Sequence, residues 1–323
     1  MFVPILLFIV GLVLLIKGGD WFVDGATGIA KKFHVPDILI GATVVSIGTT
    51  LPEVMVSATS AFSGHGEIAY GNAIGSIICN TALIAAITVT FKPSNVDRDT
   101  LKLPVIFFFI SAVVYAVVAY AFGEFTRIVG AILLLLCIAY VILSVRKAKT
   151  MPKPQLDDEN AQEITNKMVA KYIVLLVVGA VLIAFGADLL VDNGTLIAQA
   201  LGVPESVIAL TFIALGTSLP ELVTAITSLV KGHGALSLGN VIGANIFNLV
   251  LVSGVSAVVS PFAIPNNTQI WGTNSSLVVD IPVMLFVMAF LTIPALLKGK
   301  LYRWQGISLL VVYGAFCALQ FAI

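Results

Sequence analysis

Ten long apolar stretches, each bounded by short polar or charged breaks, run the length of this chain. They lie near residues 3–32, 36–62, 67–91, 101–121, 126–146, 169–199, 204–230, 235–260, 277–297 and 303–321. Each is close to the roughly 20 apolar residues that a helix needs to cross a bilayer. The pattern predicts an all-α polytopic membrane protein of ten transmembrane helices. The first stretch lacks the basic start and small-residue cleavage site of a signal peptide and matches the sixth, so it reads as a retained helix.

The polar positions inside these stretches are not scattered. Val35–Asn80 recurs without a gap as Val203–Asn248, 168 positions later, with about 20 of 46 residues identical. The shared patterns are TxxxxGTxLPE and GNxIGxxIxN, which set Glu53 on Glu221, Thr49 on Thr217 and Asn80 on Asn248. The offset holds five spans, an odd number, so the second copy enters the membrane inverted. That arrangement places transport sites near the midplane, between repeats. The expected organisation is a first five-helix repeat over 1–147 (motif 41–80), a polar cytoplasmic linker over 148–168, and a second repeat over 169–323 (motif 209–248).

Composition agrees with the membrane reading. Hydrophobic residues make up 59%, charged residues 11%, and the net charge is zero. No basic stripe exists to bind nucleic acid. Lys31, Lys32, Lys92, Arg98, Lys102, Arg146, Lys147, Lys231, Lys298 and Arg303 all fall on one side if both termini are outside, which fixes the expected orientation. The predicted location is a prokaryotic plasma (inner) membrane. Cys79, Cys137 and Cys317 sit far apart in apolar runs, with neither a disulfide framework nor a metal spacing.

A carboxylate at the bilayer midplane costs about 2.5–3.5 kcal/mol on insertion scales. Two at equivalent positions point to a cation site. Proline has no N–H and interrupts the helical ladder, so GTTLPE and GTSLPE predict helix breaks near Thr49–Thr50 and Thr217–Ser218. The freed carbonyls, the hydroxyls and the glutamates would suit calcium, which takes six to eight oxygens at about 2.3–2.6 Å. The glycines at 71, 75, 239 and 243 form small-xxx-small pairs for close helix approach.

The doubled GTxLPE and GNxIGxxIxN resemble the alpha repeats of the sodium/calcium exchanger family. The resemblance implies ten helices, four central cation sites, and alternating access in which helices one and six slide past a rigid core. It implies that Glu53 and Glu221 centre the calcium site, with Thr49 and Thr217 giving carbonyl oxygens. Ser46, Thr50 and Ser76 would line one flanking sodium site, and Ala214, Ser218 and Glu221 the opposite one. Asn80 and Asn248 join the same constellation.

Two positions depart from that family's pattern. Asn248 stands where an aspartate is common, and Ala244 where a serine is. The two glutamates carry −2, which one calcium, two sodium ions or two protons would neutralise. The expected function is therefore calcium/sodium antiport by alternating access, with calcium/proton antiport at the same glutamates and a passive cation channel as alternatives. No cofactor and no enzymatic activity are expected; GGD at 18–20 is preceded by Lys17 where the intramembrane aspartyl protease motif has glycine. The expected partners are the transported ions and the lipid bilayer.

Spans one and six repeat Asp20 and Asp24 as Asp188 and Asp192, read first as capping and interfacial solvation and otherwise as an ion vestibule or helix anchor, with Lys17 a nearby partner for Asp20. His65 and His233, each within GHG, are explained by tight turns.

Overall fold

The computed structural model describes residues 2–151, 166–201, 216–265, 269–270 and 272–322. Among these residues the chain forms ten helices: α1 (Phe2–Phe33), α2 (Asp37–Phe62), α3 (Gly66–Phe91), α4 (Arg98–Ala121), α5 (Arg127–Thr150), α6 (Asn166–Ala200), α7 (Leu219–Val230), α8 (Gly234–Val259), α9 (Ser276–Lys298) and α10 (Arg303–Ala322). Eight of them are long and apolar enough to cross a bilayer. Residues 204–215 of the expected seventh span lie outside the described residues. The helices start and stop for local reasons. Asp97 caps α4 by accepting from the N–H groups of Asp99 and Thr100, Thr126 caps α5, and Gly299 ends α9 in the left-handed conformation.

The described helices are not uniformly α. Single π-helical turns occupy Gly41–Val45 in α2, Asn80–Ala85 in α3, Asn248–Val252 in α8 and Ser276–Asp280 at the start of α9. Two of them begin at the duplicated asparagines. Such turns cluster at functional sites because the extra residue re-aims side chains and loosens the ladder.

Short ties join the loops at each face. At one face β1 (Glu124–Phe125) pairs antiparallel with β2 (Phe262–Ala263), in register Glu124↔Ala263 and Phe125↔Phe262. A second hairpin, β3 (Gln269–Ile270) with β4 (Thr273–Asn274), lies in the same α8–α9 connection. At the opposite face the α3–α4 and α9–α10 loops pair at Asn95↔Lys300. There Val96 donates to the Gly299 carbonyl at 2.9 Å and Leu301 to that of Ser94 at 2.9 Å.

The buried apolar residues divide into two clusters. The larger runs through α2–α5 and α7–α10, with Tyr70, Phe108, Tyr115, Tyr140 and Phe247 among its large members. The smaller joins Leu15, Phe22, Val23, Ala26 and Ala30 of α1 to Ile183 and Ala187 of α6, with Ile40, Val45 and Leu236 beneath. In α1 and α6 only 22% of the most apolar window is buried, against 83% for α8. The pair therefore lies on the outside of the bundle, facing lipid along most of its surface. Its helices meet backbone to backbone. A Cβ on Gly11 would stand 2.9 Å from the Gly186 carbonyl oxygen, and one on Gly186 would stand 2.9 Å from that of Gly11. The same reciprocity holds for Gly18 and Gly179.

Candidate functional site

The duplicated glutamates lie on α2 and α7, and both are fully buried, at 0% exposure. Among the described residues they are the only acids so enclosed. They are electrostatic neighbours, and the Thr49 and Thr50 side chains stand beside Glu221. None of the four carboxylate oxygens makes a hydrogen bond among the described residues. Burying an ionised group without partners is far more costly than burying one that is paired, so the arrangement calls for a cation.

The local backbone differs between the copies. In the second, Thr217–Ser218 forms a turn and α7 begins at Leu219, with Pro220 in its first turn, where a missing N–H costs nothing. The expected break is present there. In the first, the helix runs unbroken from Ser46 to Phe62 with Pro52 inside it. The expected break at Thr49–Thr50 is thus absent; Pro52 removes only the bond its N–H would give the Gly48 carbonyl. The irregularity lies earlier in the chain, in the π turn over Gly41–Val45.

Each glutamate-bearing helix packs against the π turn of the other copy, α2 on the turn starting at Asn248 and α7 on that starting at Asn80. Asn80 and Asn248 are fully buried, and among the described residues neither end of either amide is hydrogen-bonded. Ser46, Thr49, Thr50, Ser76 and Ser218 are buried too, with the hydroxyls of Thr50 and Ser218 unpartnered among the described residues. Ser46 donates to the Thr43 carbonyl at 3.2 Å. Thr217 is half-buried, and Ala214 lies outside the described residues. Four donors of the expected set (Glu53, Glu221, Thr49 and Thr50) are thus gathered together.

Two further asparagines belong to this layer. Asn72 donates to Ser57 Oγ at 2.8 Å and to the Glu53 carbonyl at 3.4 Å. Its duplicate, Asn240, accepts from the Thr49 hydroxyl at 3.3 Å, linking the copies. Both are visible in the sequence as the N of the repeated GN, the signal that could have found them. Glycines make the approach possible. A Cβ on Gly239 would stand 2.2 Å from the Ile38 carbonyl oxygen, and one on Gly243 would stand 2.4 Å from Ser46 Oγ.

Helices α1 and α6 cover the motif. Phe22, Ala180, Ile183 and Ala184 meet Gly48, Thr49, Pro52 and Pro220 around a void of about 10 Å³. That is the size of about one water. A larger cavity, about 280 Å³, lies away from the glutamates, between the α1–α2, α3–α4 and α7–α8 connections and beside Asp37 and Asp97. Among the described residues no three His, Cys, Asp or Glu gather. Donors beyond the two carboxylates must therefore be hydroxyls, amides and carbonyls, the oxygen ligands that hard cations take.

An all-helical membrane bundle enclosing such an acid pair defines a polytopic cation transporter. The chain belongs to the sodium/calcium exchanger protein family, whose model matches residues 3–146 and 171–322. An uncharacterized membrane protein of Methanocaldococcus jannaschii is 36% identical over 312 residues, covering 95% of this chain and 94% of the relative. The sodium/calcium exchanger MaX1 of Methanosarcina acetivorans is 32% identical, covering 99% of both. The fold is similar to solved structures of the sodium-calcium exchanger NCX_Mj. One, soaked with sodium and strontium, superimposes with a TM-score of 0.82 at 33% identity, covering 98% of each chain. Another, soaked with sodium and calcium, gives 0.80 at 32% identity.

Proposed function

We propose that this exchanger moves calcium against sodium, both binding in turn at Glu53 and Glu221. The observation that carries the reading is the pair of fully buried, unpartnered carboxylates, one from each copy of the duplicated motif. Thr49, Thr50, Ser76, Asn80, Ser218 and Asn248 complete the oxygen shell, with the Thr49 and Thr217 carbonyls as ligands and Ser46 beside them. Two negative charges match one calcium or two sodium ions, so the loaded site crosses the membrane neutral, whereas the empty site, at −2, is held back by desolvation. The two copies form inverted five-helix repeats, 1–147 and 169–323, joined by a cytoplasmic linker. The face carrying Lys231 is cytoplasmic, and both termini are outside.

Asn248 favours a second reading. It is an amide and does not titrate, so the site has two ionisable groups and two protons could replace sodium. Uptake of radioactive calcium into proteoliposomes separates the readings. Uptake driven only by internal sodium supports sodium coupling. Uptake driven by an outward proton gradient alone assigns calcium/proton exchange. Equal uptake with no gradient makes the protein a channel.

A further inference from the structure

We propose that Lys231 is a positioning residue that ties α1 to the motif-bearing core at one face only, and so biases the exchanger toward the state in which that face is shut. The inference rests on the alternating-access reading above. Lys231 follows α7, and its Nζ lies 2.7 Å from Asp24 Oδ1 and 3.4 Å from Asp20 Oδ1. It also donates to the Asp20 carbonyl at 2.9 Å. The expected partner of Asp20, Lys17, is replaced by a residue 211 positions away. The same loop is held from the other side, where His233 Nδ1 lies 2.9 Å from Asp37 Oδ2 at the start of α2. A loop fixed to the core thus grips the end of α1.

The other copy repeats the aspartates and the loop of this clasp but not its cation. Asp188 and Asp192 repeat the aspartates, and the loop backbone repeats as well. Gly64 and Gly232 both have φ +86°. His65 lies at φ −102°, ψ 58° and His233 at φ −94°, ψ 52°. Position 63, however, is serine where 231 is lysine. Among the described residues no ion pair reaches Asp188 or Asp192. Two inverted copies alone would make inward- and outward-facing states equal in energy. An ion pair formed in one state and not in the other breaks that equality by its full differential strength. The side chains of the pair are 26–53% exposed, so the bias is modest, about two- to fivefold in population.

The test uses full-length protein reconstituted in one orientation, with the apparent KM for calcium measured from each side. Lys231→Met and Asp24→Asn should each change the ratio of the two KM values by about two- to fivefold. Lys231→Arg should keep the ratio, and Ser63→Lys combined with Lys231→Met should reverse its sense. A change in kcat with the ratio untouched would show a structural role only and overturn the proposal. An activity-independent arm places spin labels at Phe33 and Val230, both exposed. Lys231→Met should add a longer-distance population; an unchanged distribution overturns the tie. If the wild type moves no calcium, the functional reading fails, while the label distances still decide the fate of the clasp.

Discussion

The α1–α6 pair and the motif helices solve different problems with different residues. Where α1 and α6 meet, contact is through backbone, with Gly11, Gly18, Gly179 and Gly186 allowing approach that any side chain would block. Apolar side chains, Leu15, Phe22 and Val23 of α1 and Ile183 and Ala187 of α6, pack around that contact. Three of the motif helices, α2, α3 and α8, are instead laced by polar groups: Asn72 of α3 donates to Ser57 of α2, Thr49 of α2 donates to Asn240 of α8, and Asn245 of α8 donates to Thr81 of α3. On the proposed mechanism the glycine-lined pair moves as one body while the laced group holds the ion ligands still, so that motion and chemistry fall to separate parts of one membrane bundle.

Four tests put this division under strain. The largest effect belongs to Glu53→Gln or Glu221→Gln. Removing one buried ligand charge should lower calcium uptake by at least about a hundredfold, with the thermal melting point in detergent kept; wild-type uptake in either variant would refute the site. Next is Gly18→Leu, whose Cβ would stand 2.9 Å from Ile183 N. Uptake should fall about tenfold while equilibrium calcium binding, read by calorimetry, stays within about twofold, because the collision is outside the chemistry. Loss of binding instead would show that the two regions are not separable. Asn248→Asp with Ala244→Ser adds a third carboxylate and a hydroxyl. Sodium should then compete about fivefold better against calcium, and unchanged competition would mean these positions do not set coupling. The smallest effect is Asn72→Ala, which removes the bonds to Ser57 and to the Glu53 carbonyl. A rise of about threefold in calcium KM is expected, from the lower part of the roughly 0.5–1.5 kcal/mol a hydrogen bond contributes.

Much of this was legible in the chain. Nine of the ten expected spans coincide with observed helices to within about four residues, because apolar runs end at charge, Gly or Pro. The burial of the two glutamates was legible because both lie in long apolar runs at one repeated offset. The π turns were not, since the signal for a fifth-residue hydrogen bond is tertiary and the local sequence there reads as ordinary helix. The unbroken helix across Thr49–Thr50 shows the same limit: identical GTxLPE strings take two backbones, as packing around Ser46–Phe62 keeps the ladder where Thr217–Ser218 gives it up. The partner of Asp20 was illegible for a simpler reason, being far away in sequence.

The loop ties carry one more consequence, for assembly. The β1–β2 pairing joins a loop of the first half to one of the second, and Asn95↔Lys300 does so again at the other face. Within the membrane, α1 rests on α6 and α8 on α2. Neither half can bury its own polar seam without the other, so each is an obligate partner and not an autonomous folding unit. Two separately translated halves should find each other and reassemble, which their co-purification in detergent would show.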